Sequence, residues 1–406
     1  MTGDGAEEIQ IRRPALLFVL AMAFVQDSLH GLIFLSAMNH YLLDVLEASP
    51  GLPGYTLSLY GGTKLLVHPI AGRLLDRTSP RLVFVLVAGM QVAGAGVLLS
   101  WQSLAGFLFA TVLLAIGSAG MWPLVYEAVA RTQEPGARTR VTGLMAIAGY
   151  LATGTGFGLG VLLSDLAPLR AIFLLALAVA AFPLVFFRSG VLATGKDAAS
   201  ETTQAPDRPG ARRHATRALV IFGVVVLLDY SAISSLAGIY GPYVRLTLDI
   251  TLLHAVALLA PAGLVALGAL SVAARYSRPG RRFREMALLY GASAAGALGL
   301  ALTTTPWVAS LAAIPLAVGA GGVGPIVAAS VIDLSGERGR GTVIGSLMSV
   351  EGLGSVAGPA LVALVVDLVS LRSAFACIAA TFALLVILTS LAPRPEVREL
   401  VRDSPD

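Results

Sequence analysis

The chain has little of what soluble enzymes and secreted domains are built from. Its single cysteine, Cys377, excludes a disulfide framework or a cysteine metal cluster. Charged residues make up 13%, against roughly 25% in a soluble domain. Hydrophobic residues reach 56% of 406, with a mean hydropathy of +0.81. A soluble fold has too little interior to hide that much apolar surface. The alternation of apolar and polar residues that marks a membrane β-barrel strand is missing, and so are a helical zinc-protease motif and a serine elbow, which removes support for an intramembrane enzyme. Gly319-Ala320-Gly321-Gly322-Val323-Gly324 has dinucleotide-loop spacing but lies inside an apolar run with no preceding strand, and Gly190 to Lys196 is followed by Asp197 where a phosphate loop needs Ser or Thr. No cofactor, metal site or nucleic-acid partner is expected.

What is present is a succession of apolar runs, each close to the roughly 20 residues a helix needs to cross the hydrocarbon layer. Twelve spans are predicted, at 14–37, 53–75, 82–101, 104–129, 141–164, 169–188, 217–240, 251–274, 284–304, 306–332, 342–366 and 371–392. The expected fold class is an all-α membrane protein. Arg12-Arg13-Pro14 and the run to Ala21-Met22-Ala23 have the form of a secretory leader. The run continues to full membrane length, however, and is read as the first span.

Arginines decide the orientation. With the N-terminus inside, Arg12, Arg13, Arg73, Arg77, Arg81, Arg131, Arg138, Arg140, Arg275, Arg281, Arg340 and the basic residues of the middle loop all fall on the cytoplasmic side, while Arg170, Arg245 and Arg372 face outward. Both termini are therefore expected in the cytoplasm. Lysine is scarce beside arginine, as in chains encoded by GC-rich bacterial genomes, so the cytoplasmic (inner) membrane is the expected location.

Sliding the chain against itself by 202 residues brings rare residues into register: Asp27 with Asp229, Arg73 with Arg275, Pro123 with Pro325, Arg138 with Arg340, Asp165 with Asp367 and Arg170 with Arg372. Gly117 and Gly120 meet Gly319 and Gly322 at the same offset. Six spans per half make these parallel repeats, related by an axis along the membrane normal. The expected organisation is a cytoplasmic segment 1–13, an N-terminal six-helix bundle 14–188, a linker 189–216, a C-terminal bundle 217–392 and a cytoplasmic tail 393–406.

Gly72-Arg73-Leu74-Leu75-Asp76-Arg77-Thr78-Ser79-Pro80-Arg81, at the end of the second span, resembles the loop between helices two and three of major facilitator superfamily transporters, and the resemblance covers essentially the whole chain. Ser79 and Pro80 stand where that family usually has glycine and a basic residue. The resemblance implies two six-helix bundles, a cytoplasmic gate at Gly72, Arg73, Asp76, Arg77 and Arg81, with Glu127 and Arg131 as neighbours, and a central cavity lined by helices one and seven. In helix five, Ala152, Gly156 and Phe157 replace the Gly, Gly and Pro of the family's antiporters, whereas Gly354 to Gly358-Pro359 keep the pattern in the second half. Leu113 takes the slot of the basic residue that many drug and proton antiporters carry in helix four.

Charged groups at mid-span cost about 2.5–3.5 kcal/mol on insertion scales and so tend to face a cavity or a partner. Asp27, Asp229 and Glu351 are the candidate proton-coupling groups. Asp27 shares a helical face with His30, as Lys64 does with His68. Asp27 and Lys64 could pair, with a proton or an anionic substrate breaking the pair, or form a permanent structural bridge. Gln26, Tyr60, Trp122, Tyr126 and Tyr230 are candidate substrate contacts, since aromatic rings with polar tips suit a wet apolar cavity. Pro123 and Pro325 are expected to bend their helices. The function expected is proton-coupled export of small amphipathic molecules by alternating access, from a chain functional as a monomer. The alternative is uptake of a small organic anion at Lys64. Metal transport through Asp27, His30 and His68 is disfavoured, because Lys64 repels a cation.

Overall fold

The computed structural model describes residues 13–132, 135–188, 209–277, 281–335 and 340–391. Most of segment 1–13, residues 189–208 of the expected linker and the tail 393–406 lie outside the described residues, as do the side chains of Asp76 and Arg131. The regular elements are α1 (Arg13–Leu29), α2 (Leu52–Arg77), α3 (Pro80–Ser100), α4 (Leu104–Thr132), α5 (Pro135–Leu166), α6 (Leu169–Ala181), α7 (Pro209–Leu246), α8 (Leu252–Tyr276), α9 (Arg282–Leu302), α10 (Pro306–Ser335), α11 (Arg340–Leu368) and α12 (Leu371–Leu391).

Eleven of these helices, with their extensions, are long and apolar enough to cross a membrane. The twelfth, α2, has the length but carries Lys64, His68 and Arg73, so it lacks the required apolarity. It is a helix built to face polar neighbours. Some predicted boundaries fall short: α1 continues past residue 37 as π-helix over His30–Ala37 and again over His40–Val45, and α7 starts at Pro209. Wide turns of this kind cluster at functional sites, and the first begins at a residue singled out from sequence, His30. Helices α4 and α10 run on through Pro123 and Pro325.

The helices α1–α6 pack together, as do α7–α12, and the contacts repeat: α1 against α5 and α7 against α11, α3 against α4 and α9 against α10, α2 against α4 and α8 against α10. The repetition reaches individual atoms. A Cβ on Gly94 would lie 2.8 Å from Leu114 and 3.1 Å from the Ala110 carbonyl; 202 residues on, one on Gly296 would lie 2.7 Å from Leu316 and from the Ala312 carbonyl. Gly117 is filled by Gln91, and its counterpart Gly319 by Ser293. Small residues let helix backbones approach in a solvent that offers no hydrophobic drive to association. The N-terminal core divides in two. Phe18, Phe84 and Met121 pack at the end where the chain enters α1, and Phe34, Tyr41, Phe107 and Phe173 at the far end. The buried amide pair Gln91 Nε2 to Gln26 Oε1, 2.7 Å, lies on the same helices as both clusters.

Between the bundles, α2 packs along α11 and α5 packs along α8, the two contacts exchanging places under the 202-residue offset. They are not equal. The α2–α11 seam is tight, with Gly54 against Ala363 and the Pro359 carbonyl, Gly61 against the Ser355 carbonyl, and Ser58 Oγ donating to the Val356 carbonyl at 2.9 Å. The α5–α8 contact is less extensive.

Overpacking a filled interface costs about 1–3 kcal/mol, so Gly94→Leu and Gly296→Leu are each expected to lower the thermal midpoint of the purified protein. Gly96→Leu, one position where nothing lies within 4 Å, is expected to leave it unchanged. Equal midpoints for Gly94→Leu and Gly96→Leu would refute the close packing.

Candidate functional site

A cavity of 360 Å³ opens between α1, α2, α4, α7 and α11. Its wall is made by Gln26, Asp27 and His30 from α1 and its π-helical extension, Tyr60, Lys64 and His68 from α2, Trp122 and Tyr126 from α4, Tyr230 from α7 and Glu351 from α11. The periodicity of α2 explains its share: Tyr60, Lys64 and His68 are four apart and form one stripe. Asp229 does not reach this wall. It is buried, 4% exposed, facing Tyr290 of α9, and its Oδ1 has no hydrogen-bond partner.

The side chains are arranged around Lys64. Its ammonium lies over the Tyr60 ring, 5.3 Å from the centroid, and Tyr60 in turn packs on Phe34 at 4.6 Å and His30 at 5.9 Å. Asp27 and Lys64, which could have paired, make no ion pair within 4 Å; among the described residues such pairs join Asp44 to His40 and to Arg245. Lys64 instead stands in electrostatic reach of Asp27 in its own bundle and of Glu351 in the other. Asp27 leans on α5, where a Cβ on Gly149 would lie 2.2 Å from Oδ2. The position 202 residues after Gly149 is Glu351. Where the first half clears space for a carboxylate from α1, the second half adds a carboxylate on α11.

Sequence reasoning missed Ser118, Ser234 and Ser355, which complete the wall, Ser234 Oγ lying 3.2 Å from Ser355 Oγ. Serines carry no signal in a membrane helix, because they can bond their own carbonyls at little cost. Also missed was a cluster at the far end. There Arg245 of α7 contacts Asp44, which also holds His40 Nδ1 at 2.7 Å, and the Gly51 backbone N–H at the start of α2 donates to Asp367 of α11 at 3.0 Å. Nearby, Gly241 meets Asn39, whose amide a Cβ would overlap at 2.2 Å. All three contacts tie one bundle to the other. At the opposite end of α2 the space around Gly72 is open, nothing lying within 4 Å of where a Cβ would sit. Arg73, Arg77 and Arg81 are exposed there. The described contacts between the bundles at the far end are thus those of Asp44, Asp367 and Asn39.

A model of the Major Facilitator Superfamily matches residues 16–350 of the chain. The chain belongs to that superfamily. It is a secondary membrane transporter and not an enzyme. No curated protein sequence matches. Among solved structures, the fold is similar to that of the human organic anion transporter MFSD10 (TETRAN), at 20% identity over 93% of this chain and 99% of that one, with a TM-score of 0.70. A POT family transporter in complex with 5-aminolevulinic acid, 12% identical, covers 93% and 95% with a TM-score of 0.74. The nucleoside transporter NupG, 13% identical, covers 93% and 99% with a TM-score of 0.67. The superfamily transports by rocking two bundles about a midplane site, and the far-end contacts are the ones such a motion must break.

Gly241→Leu forces Asn39 aside and is expected to open the far end. In a Cys377→Ala background, a cysteine at Ser58 in the α2–α11 seam should then react faster with an impermeant maleimide applied from the far side. An unchanged rate would show that this contact does not hold the seam shut.

Proposed function

We propose that the chain is a proton-coupled transporter of organic anions, with Lys64 as the anion contact and Asp27 and Glu351 as the proton-binding groups. The observation that carries it is a lysine with no ion-pair partner within 4 Å among the described residues, lining one cavity with carboxylates of both bundles, Asp27 and Glu351. A desolvated charge is costly unless it is compensated. When both carboxylates are ionised they compensate Lys64 themselves; when they take up protons, Lys64 is left to an anionic guest. Proton and anion binding therefore assist each other, and the two move together. With the termini in the cytoplasm, an inward proton gradient drives uptake. The fold of an organic anion transporter at 20% identity is consistent with this reading. Lining the site with Tyr60, Trp122, Tyr126 and Tyr230 favours an anion with an apolar part.

The excess of carboxylates over Lys64 favours a second reading, proton-driven export of amphipathic cations, in which substrate and proton compete for Asp27 and Glu351. The sign of proton movement separates the two. In proteoliposomes, organic-anion influx should carry protons inward, whereas exchange predicts protons leaving as substrate enters.

Lys64→Ala is expected to lower anion affinity by about tenfold or more, the loss associated with a hydrogen bond to a charged group, about 1.5–3 kcal/mol. Asp27→Asn is expected to abolish accumulation against a gradient while leaving expression and downhill flux intact. Uphill transport by Asp27→Asn at the wild-type rate would falsify the coupling role.

A further inference from the structure

A second, larger cavity of 790 Å³ lies between α5, α7, α8 and α10. Its volume is within the range of about 300–1,000 Å³ typical of small-molecule sites. Its position is the notable feature. Leu57, Tyr60, Gly61 and Lys64 of α2 line the polar cavity; 202 residues later, Leu259, Ala262, Gly263 and Ala266 of α8 line this one. Ser118 of α4 answers to Ala320 of α10, and Gly352 and Ser355 of α11 answer to Tyr150 and Thr153 of α5, each facing its own cavity. The duplicated halves thus make two equivalent pockets. In one, the α2 stripe is polar and aromatic; in the other the same stripe is reduced to small apolar side chains, and the difference in side-chain volume is left as space.

One residue of α7 is common to both linings. Ala237 of α7 lines both, with Ile233 and Ser234 on the polar side and Leu236 and Tyr240 on the apolar side. Polar atoms in the apolar chamber are few: the Tyr150 hydroxyl reaches the Ala320 carbonyl at 3.4 Å, and the Tyr240 hydroxyl is buried without a partner. We infer that the chamber between α5 and α8 is the second compartment of the transport site and receives the hydrocarbon or aryl body of an anion whose charged group sits at Lys64. This rests on the anion reading above, and it adds a substrate class, amphipathic carboxylates or similar anions with an apolar body too large for the polar cavity.

Gly154 and Gly263 line the chamber, and a Cβ at either meets nothing within 4 Å, so the side chains of Gly154→Phe and Gly263→Phe start in open space and are expected to occupy the chamber. The test measures affinities of straight-chain carboxylates from butyrate to laurate, and of dodecanol, for the purified full-length wild type, both phenylalanine variants and Lys64→Ala. In the wild type, affinity should rise about fourfold for each methylene that enters the chamber, the gain expected for burying one. Both phenylalanine variants should bind butyrate as the wild type does and lose the rise with chain length. A rise that survives both substitutions, no rise in the wild type, or loss of butyrate binding in both variants would overturn the inference. If carboxylates fail to bind but dodecanol binds and is excluded by Gly263→Phe, the chamber stands and the anion site at Lys64 falls. A membrane lipid could supply the same chain chemistry. A phospholipid retained by the wild type in native mass spectrometry, absent from Gly263→Phe and not displaced by laurate, would assign the chamber to lipid and overturn its role in transport.

Discussion

A lysine cannot face hydrocarbon at mid-membrane without a large penalty, and the arrangement of the bundles follows from where Lys64 can be accommodated. Its helix is the one that lacks the apolarity to cross a membrane by composition alone. It is enclosed on one side by α1 and α4 of its own bundle and on the other by α7 and α11 of the second. The seam that encloses it depends on close backbone approach through Gly54 and Gly61, where a Cβ would overlap α11, and through Gly352, where one would press on Leu65 of α2 at 3.2 Å. Larger residues there would wedge the bundles apart and expose the ammonium. The same seam is what a transporter must open, so the contacts that shelter the charge are also those that hold one conformation.

Duplication gave the molecule two copies of one helix arrangement, and divergence of side chains made the copies unequal. The helix-packing glycines stayed, as the matched contacts of Gly94 with Gly296 and of Gly117 with Gly319 illustrate. The lining changed. Lys64 corresponds to Ala266, Tyr60 to Ala262 and Gly149 to Glu351. One seam closed on a polar cavity while the other stayed loose around an apolar chamber. A backbone duplicated for packing is thereby free to hold chemically different compartments on its two sides.

The far-end contacts combine different physics. Asp44 and Arg245 contribute charge, Asp367 caps the first turn of α2 from the other bundle, and Gly241 contributes only the absence of a side chain. A helix N-terminus with an anion at its unsatisfied N–H groups is a modest but directional interaction, and here it links two bodies that must separate. Arg245, placed by sequence merely as an outward-facing charge, takes part in that link.

Much of this was fixed by the chain alone. Continuous apolar runs of membrane length permit only helices, because backbone groups in lipid must be satisfied within their own segment. The offset of 202 residues marked the repeat, and the expense of mid-span polar groups together with the aromatic residues marked ten of the nineteen residues that line the polar cavity, Gln26, Lys64 and Glu351 among them. Only the tertiary structure decided which of them meet. Asp229 has the same rarity in sequence as Asp27, yet it turns toward Tyr290, because helical periodicity gives a face and not the neighbour that the face will find. The apolar chamber left no trace in the sequence for a related reason: its walls are leucine, alanine and glycine, residues a membrane helix carries everywhere, and empty space between two helices is a property of their distance.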